Sequence, residues 1–316
     1  MTRVHEALAP SIASWNLVGV GTDCALVFDE REEWLVGCAF DRLPEGFVPT
    51  GETFLGRPVL WTGASLRLGG KVTPYEAVKL SLVGTVVTQT HEGGEETPVL
   101  VLQDWRALSE NHPAFRGSPE EEWTGIAVHE AFHAHQMWHP AVRAKMKRLA
   151  AASPAVATAE DLGKAYASQE AFRGALDAEL AALRDATAET PSAAAATKAL
   201  AAWVKARNAR TKAHDAAMEA LLPGKAWHEG ESFSLFLEGV ARYVEASFVL
   251  TSHGRDTRAA SSLSGLSGAK PRYVYALGMY LCFLLDRADP TWKSRVLEHP
   301  LLLVGVVEEL VARTSP

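Results

Sequence analysis

Residues 120–139 read EEEWTGIAVHEAFHAHQMWH and contain the pattern H-E-x-x-H at His129, Glu130 and His133. If this stretch is helical, the two histidines lie one turn apart on the same face, close enough for both imidazoles to bind one metal ion. Glu130 lies beside them, where it can take a proton from a metal-bound water as the general base of a hydrolysis. The stretch therefore predicts a helix that carries two metal ligands and a base.

The flanking residues predict where this helix begins and ends. Ser118 is a favoured N-cap residue, Pro119 suits the first helical position, and Glu121 completes a capping box. Pro140 cannot continue the helix, so we expect its last residue to be His139. These signals predict the helix without any use of the histidine pattern.

Gln136 lies on the same predicted stripe as the histidines, at i+7 from His129 and i+3 from His133. That stripe would line a metal site. The alternative interpretation is two surface histidines beside a solvated glutamate, because a match of three fixed residues also arises by chance.

Composition and charge exclude several classes of protein. The chain has 316 residues, of which 47% are hydrophobic and 22% are charged, with a net charge of −7. Its basic residues form only one short cluster at 143–148, so we expect no nucleic-acid partner. No apolar run reaches about 18 residues, so we expect no membrane span.

The first fifteen residues lack the continuous apolar segment of a signal peptide. We therefore expect a cytoplasmic protein by default, and a secreted one if an export signal has been removed. Oligomeric state is not predicted by these features.

The three cysteines, Cys24, Cys38 and Cys282, are an odd number without C-x-x-C spacing. This pattern argues against a disulfide framework and against a thiolate zinc site. We expect all three to be buried or unreactive thiols.

The sequence changes character near residue 105. Before it, short runs rich in Val, Leu and aromatic residues predict strands, and the runs CALVFDE and EWLVGCAF, separated by a charged turn at 30–33, predict a hairpin. From residue 106 the patterns are helical. We expect an α+β fold in which an N-terminal β-rich region, 1–105, packs on a mainly helical domain, 106–316.

Residues 141–222 form an Ala-rich segment within that domain. Its apolar residues recur at helical spacing in two long stretches, the first capped by Thr158 and the second opened by Pro191-Ser192. Two antiparallel helices are the simplest fold for this pattern, so we expect a helical-hairpin insertion.

Two histidines do not complete a catalytic zinc site, which usually has three protein ligands. The candidates for the third ligand lie downstream, and they are His228, Glu229, Glu231, Glu238 and Glu245. Glu238 is favoured because it lies in the apolar run LFLEGVARYVE, where an uncompensated carboxylate is costly. The alternative is a surface salt-bridge set centred on Arg242.

The sequences HEAFH at 129–133 and EGVARYVE at 238–245 resemble the gluzincin class of zinc metallopeptidases, the thermolysin-like group. Members pair H-E-x-x-H with a downstream helix of E-G-x-A-x-Y-x-E type. The resemblance covers about residues 118–139 and 226–287, not the N-terminal third. It implies a zincin-like domain in which His129, His133 and Glu238 bind one zinc ion and Glu130 is the base.

Here the interval between His133 and Glu238 is longer than in compact members of the class. The predicted insertion accounts for the difference if it leaves the two site helices adjacent. Members also use a Tyr or His to stabilise the oxyanion of the tetrahedral intermediate. Tyr275 and Tyr273 are our candidates, since they follow a Gly- and Ser-rich loop that can border a cleft, although packing with a hydrogen-bonded hydroxyl is the alternative.

The sequence thus predicts a zinc-dependent metallopeptidase that acts on a peptide or protein substrate. One alternative is a non-catalytic or regulatory binding protein that retains the metallopeptidase scaffold. Another is a zinc hydrolase that cleaves a non-peptide amide.

Overall fold

The computed structural model describes residues 1–18, 23–29, 32–39, 43–44, 46–63, 84–90, 96–111, 120–152, 155–188, 190–253, 273–299 and 302–314. The fold is mixed α+β, as the sequence predicts. Internal contacts divide the chain into two compact units, Met1–His139 and Pro140–Pro316. We expected a boundary near residue 105. It falls after His139 because the H-E-x-x-H helix packs on elements of the first unit.

A six-stranded sheet forms the centre of the first unit. Its strands are β1 (Ala25–Phe28), β2 (Glu33–Val36), β3 (Val48–Phe54), β4 (Arg57–Thr62), β5 (Gly84–Thr90) and β6 (Glu96–Gln103). The spatial order is β3-β4-β2-β1-β6-β5, and every pair is antiparallel except β1 with β6. The predicted hairpin is confirmed as β1 and β2. Alternate residues such as Leu26 and Phe28 bury one face, as period-two side-chain direction requires.

Cys24 and Cys38 form a disulfide across the open end of this hairpin. Our expectation of free thiols is therefore wrong for this pair, and Cys282 is a buried free cysteine. The pairing of Ala25 with Val36 brings the flanking cysteines together. Their proximity follows from the strand register and is not visible in the spacing of the cysteines along the sequence.

Helices of the first unit are α1 (Thr2–Ser14), α2 (Trp105–Asn111) and α3 (Glu120–Gln136). The sequence pattern does not predict α1, because Pro10 lies inside it. The buried residues of this helix are Val4 and Leu8. The α3 helix is the predicted H-E-x-x-H helix. It ends at Gln136, three residues before the expected end, and the predicted cap at 118–119 lies outside the described residues.

The second unit is helical. Its helices are α4 (Pro140–Ala150), α5 (Ala159–Ser168), α6 (Glu170–Ala188), α7 (Ala193–Leu221), α8 (Trp227–His253), α9 (Tyr273–Ala288), α10 (Trp292–Val296) and α11 (Leu302–Thr314). Thr158 caps α5 with a capping box and Ser192 caps α7, as predicted. The first long stretch of the insertion is broken into α5 and α6 at Gln169, whose backbone is extended.

Two short parallel strands, β7 (Ala155–Val156) and β8 (Lys225–Ala226), join the ends of the α5–α7 segment. At Gly230, a Cβ atom would lie 2.1 Å from the carbonyl oxygen of Ala157, so only glycine allows this approach. The two ends of the segment therefore lie side by side, and its helices α6 and α7 pack on α9 within the second unit. Within the described ranges, no helix is both long enough and apolar enough to cross a membrane.

Candidate metal centre

The α3 helix directs two imidazoles towards the same point. His129 and His133 are both buried, and their Nε2 atoms lie 3.1 Å apart. Two nitrogen ligands at about 2.0–2.1 Å from a tetrahedral zinc ion lie about 3.3 Å apart. The separation of the two nitrogens therefore fits a shared metal ion.

Contacts within the first unit fix the rotation of α3. The indole Nε1 of Trp123 donates a hydrogen bond of 2.8 Å to the carbonyl oxygen of Gln103, the last residue of β6. On the histidine-bearing half of the helix, Phe132 meets Trp15 edge to face, with ring centroids 5.4 Å apart. Because both ends of α3 are anchored, the histidines have a defined direction.

Gln136 completes the stripe that the sequence predicts. Its side chain is fully buried, and its Oε1 lies 3.0 Å from Nδ1 of His133. A histidine that binds a metal through one ring nitrogen usually hydrogen-bonds through the other. The Gln136 amide therefore occupies the position of an outer partner of His133.

Glu238 lies in the middle of α8 and is half-buried. The next residue, Gly239, touches the backbone of α9: a Cβ there would lie 2.4 Å from the Cα of Gly278. This glycine contact allows α8 and α9 to approach closely and fixes the rotation of α8. The direction in which the Glu238 side chain leaves α8 is thereby set by backbone packing.

His129, His133 and Glu238 form a group whose candidate ligand atoms all lie within 4.8 Å of one another. Two imidazoles and one carboxylate are a donor set that holds catalytic zinc in proteins. The group can hold a metal ion. Glu130, beside His129 on α3, is half-buried.

Three of the other candidates for the third ligand have ionic or hydrogen-bonded partners in the second unit, and the fourth, Glu229, is exposed. His228 contacts Asp215 at 3.0 Å near the surface. Glu245 pairs with Arg242, and both side chains are buried.

Glu231, the last of these candidates, belongs to a buried ionic network that the sequence patterns do not predict. Arg210 of α7 lies between two carboxylates, with Nε 2.7 Å from Glu179 of α6 and Nη1 3.0 Å from Glu231 of α8. Arg207 lies 3.3 Å from the same Glu231 carboxylate. Burial alone would raise the pKa of Glu231, but the two arginines outweigh it and hold that pKa below its usual range. Glu231 is therefore an ionised anchor of α8.

The two tyrosines proposed as oxyanion stabilisers lie at the start of α9. Tyr273 is buried, and its hydroxyl donates a hydrogen bond of 3.0 Å to Glu231 Oε1. Burial and the adjacent Glu231 carboxylate raise the pKa of Tyr273 well above its usual value. Tyr275 is half-buried. Tyr273 is thus part of the Arg210 network, and its hydroxyl is already used there.

No family model, curated protein or solved structure matches this chain.

Proposed function

We propose that the protein is a zinc-dependent metallopeptidase of the gluzincin type. The observation that carries the proposal is the group formed by His129, His133 and Glu238, whose donor types suit zinc. The metal's identity and the zincin-like character of the domain are parts of the same proposal. They are supported by the H-E-x-x-H spacing on a helix and by the E-G-x-A-x-Y-x-E pattern on α8.

In this proposal each side chain has a defined task. His129, His133 and Glu238 hold the zinc ion, which when bound polarises the attacking water and the scissile carbonyl. Glu130 takes a proton from the water and later gives it to the leaving amine. Tyr275 and Tyr273 are the two candidates for stabilising the oxyanion, and the hydroxyl of Tyr273 also donates a hydrogen bond to Glu231.

Exchange of Glu130 for glutamine tests the catalytic role. Glu130→Gln keeps the size of the side chain but removes the base, so we expect full zinc content and a loss of peptide hydrolysis of about 10²- to 10⁴-fold or more. Zinc is measured by elemental analysis and hydrolysis by digestion of casein and a peptide library. Glu170→Gln, at an exposed position of α6, is the matched control.

Equal turnover by wild type and Glu130→Gln would contradict the mechanism. Zinc binding by a wild type that cleaves no peptide would instead support the alternative of a binding protein on a metallopeptidase scaffold.

A further inference from the structure

Gln136 is a polar side chain that the proposed reaction does not use. Its amide is fully buried at the end of α3. A buried amide is costly unless its groups are hydrogen-bonded, so the bond from Oε1 to the ring of His133 contributes to the stability of this arrangement. Its function follows from the chemistry of the imidazole.

A neutral imidazole carries one proton, on either Nδ1 or Nε2. The Gln136 Oε1 atom only accepts hydrogen bonds, so the 3.0 Å contact is a hydrogen bond when Nδ1 of His133 carries the proton. The lone pair is then on Nε2, the atom that lies 3.1 Å from Nε2 of His129.

We propose that Gln136 is a positioning residue that keeps His133 in the Nδ1-protonated tautomer, with its Nε2 lone pair directed at the metal position. The inference rests on the proposed metal centre and adds a residue to it.

Two substitutions separate this role from simple packing. Gln136→Met keeps the length and approximate volume of the side chain but has no oxygen acceptor. Gln136→Glu keeps the acceptor and adds a charge. A positioning role predicts that Gln136→Met weakens zinc binding and that Gln136→Glu retains it. A packing role predicts the opposite order, because a buried charge is costly and a buried thioether is not.

The tautomer can be measured without metal and without any enzyme assay. Long-range ¹H–¹⁵N spectra of metal-free protein at pH about 8.5, where model imidazoles are neutral, report which ring nitrogen carries the proton. We expect the Nδ1–H form of His133 in wild type and in Gln136→Glu, and a mixture in Gln136→Met. An Nε2–H form of His133 in wild type would overturn the inference.

Zinc affinity, measured by competition with a chelator, gives the second readout. Loss of an outer partner typically weakens metal binding about 10- to 100-fold, which we expect for Gln136→Met, with partial or full recovery in Gln136→Glu. Unchanged affinity in Gln136→Met would overturn the inference. If the Met variant does not fold, Gln136→Asn applies the same test, since its amide is too short to reach Nδ1.

Failure of this inference is distinguishable from failure of the proposed function. Peptide hydrolysis by wild type, together with unchanged tautomer and affinity in the variants, would remove Gln136 from the site and leave the peptidase intact. An Nδ1–H tautomer in a wild type that cleaves no peptide would support the role of Gln136 and contradict the proposed peptidase activity.

Discussion

The Nε2 atoms of His129 and His133 lie 3.1 Å apart, and both side chains are buried. Two neutral imidazoles in this position can share one proton, or both can bind one metal ion through their lone pairs. Protons and a bound metal would compete for the same atoms, so we expect metal affinity to fall as the pH is lowered. The chemistry of the proposed site follows from this competition at the level of single side chains.

Removal of Glu238 tests the third ligand. We expect Glu238→Ala to weaken zinc binding by more than the about 10- to 100-fold typical of a lost outer partner, because a direct ligand is lost. Glu229→Ala is the matched control, since Glu229 is exposed on the same helix. Elemental analysis after dialysis measures the zinc content. Unchanged content in Glu238→Ala would assign the third ligand to another residue.

The residues of the site are partly predictable from the sequence. The histidines follow from i, i+4 spacing on one helix, which is a local property. The apolar neighbours of Glu238 favour it as a ligand, yet Glu231 is even more deeply buried and pairs with Arg210 instead. An apolar neighbourhood therefore identifies a carboxylate that needs a partner, but not which partner. The identity of that partner depends on helices distant in sequence.

At the scale of elements, the contact between α8 and α9 fixes the position and rotation of α8, the helix that carries Glu238. The two helices meet at Gly239 and Gly278, and a Cβ on Gly278 would lie 2.4 Å from the carbonyl oxygen of Leu235. The backbone of one helix thus fills the space that a side chain on the other would need. Any added methyl group must separate the helices.

We expect Gly278→Ala to lower the free energy of unfolding by about 1–3 kcal/mol, the usual cost of overpacking. Gly174→Ala in α6 is the control, because nothing lies within 4 Å of its added Cβ and alanine favours a helix by up to about 1 kcal/mol. Chemical denaturation measures both. A Gly278→Ala variant as stable as Gly174→Ala would disprove the close crossing.

The buried network joins α6 and α7 of the insertion to α8. Arg210→Met leaves the carboxylates of Glu179 and Glu231 buried with less compensation, so we expect a loss of about 3–5 kcal/mol in the free energy of unfolding. Arg184→Met, at an exposed position of α6, is the control and should change stability little. A loss in Arg210→Met no larger than in the control would show that the network does not hold the helices together.

At the scale of the whole chain, sequence periodicity predicted the α+β class, the β1–β2 hairpin and the long helices of the second unit. It missed α1, since a proline inside a short amphipathic stretch resembles a helix break. It also missed the disulfide and the Arg210 network. The disulfide depends on the strand register, and the network depends on contacts between helices. Local sequence patterns encode neither.

The disulfide predicts the thiol content of the chain. When the protein is denatured without reductant, we expect one of its three cysteines, Cys282, to react with a thiol reagent. Replacing Cys24 and Cys38 by serine should lower stability by about 2–4 kcal/mol. Mass spectrometry counts the labels. Three labels in the unreduced protein would contradict the Cys24–Cys38 bond.

The proposed metal centre is tested most directly by anomalous diffraction at the zinc absorption edge from crystals grown with zinc. We predict one anomalous peak per chain, bonded at about 2.0–2.2 Å to Nε2 of His129, Nε2 of His133 and a carboxylate oxygen of Glu238. A map with no peak at these three residues, or a peak that Glu238 does not contact, would contradict the proposed site.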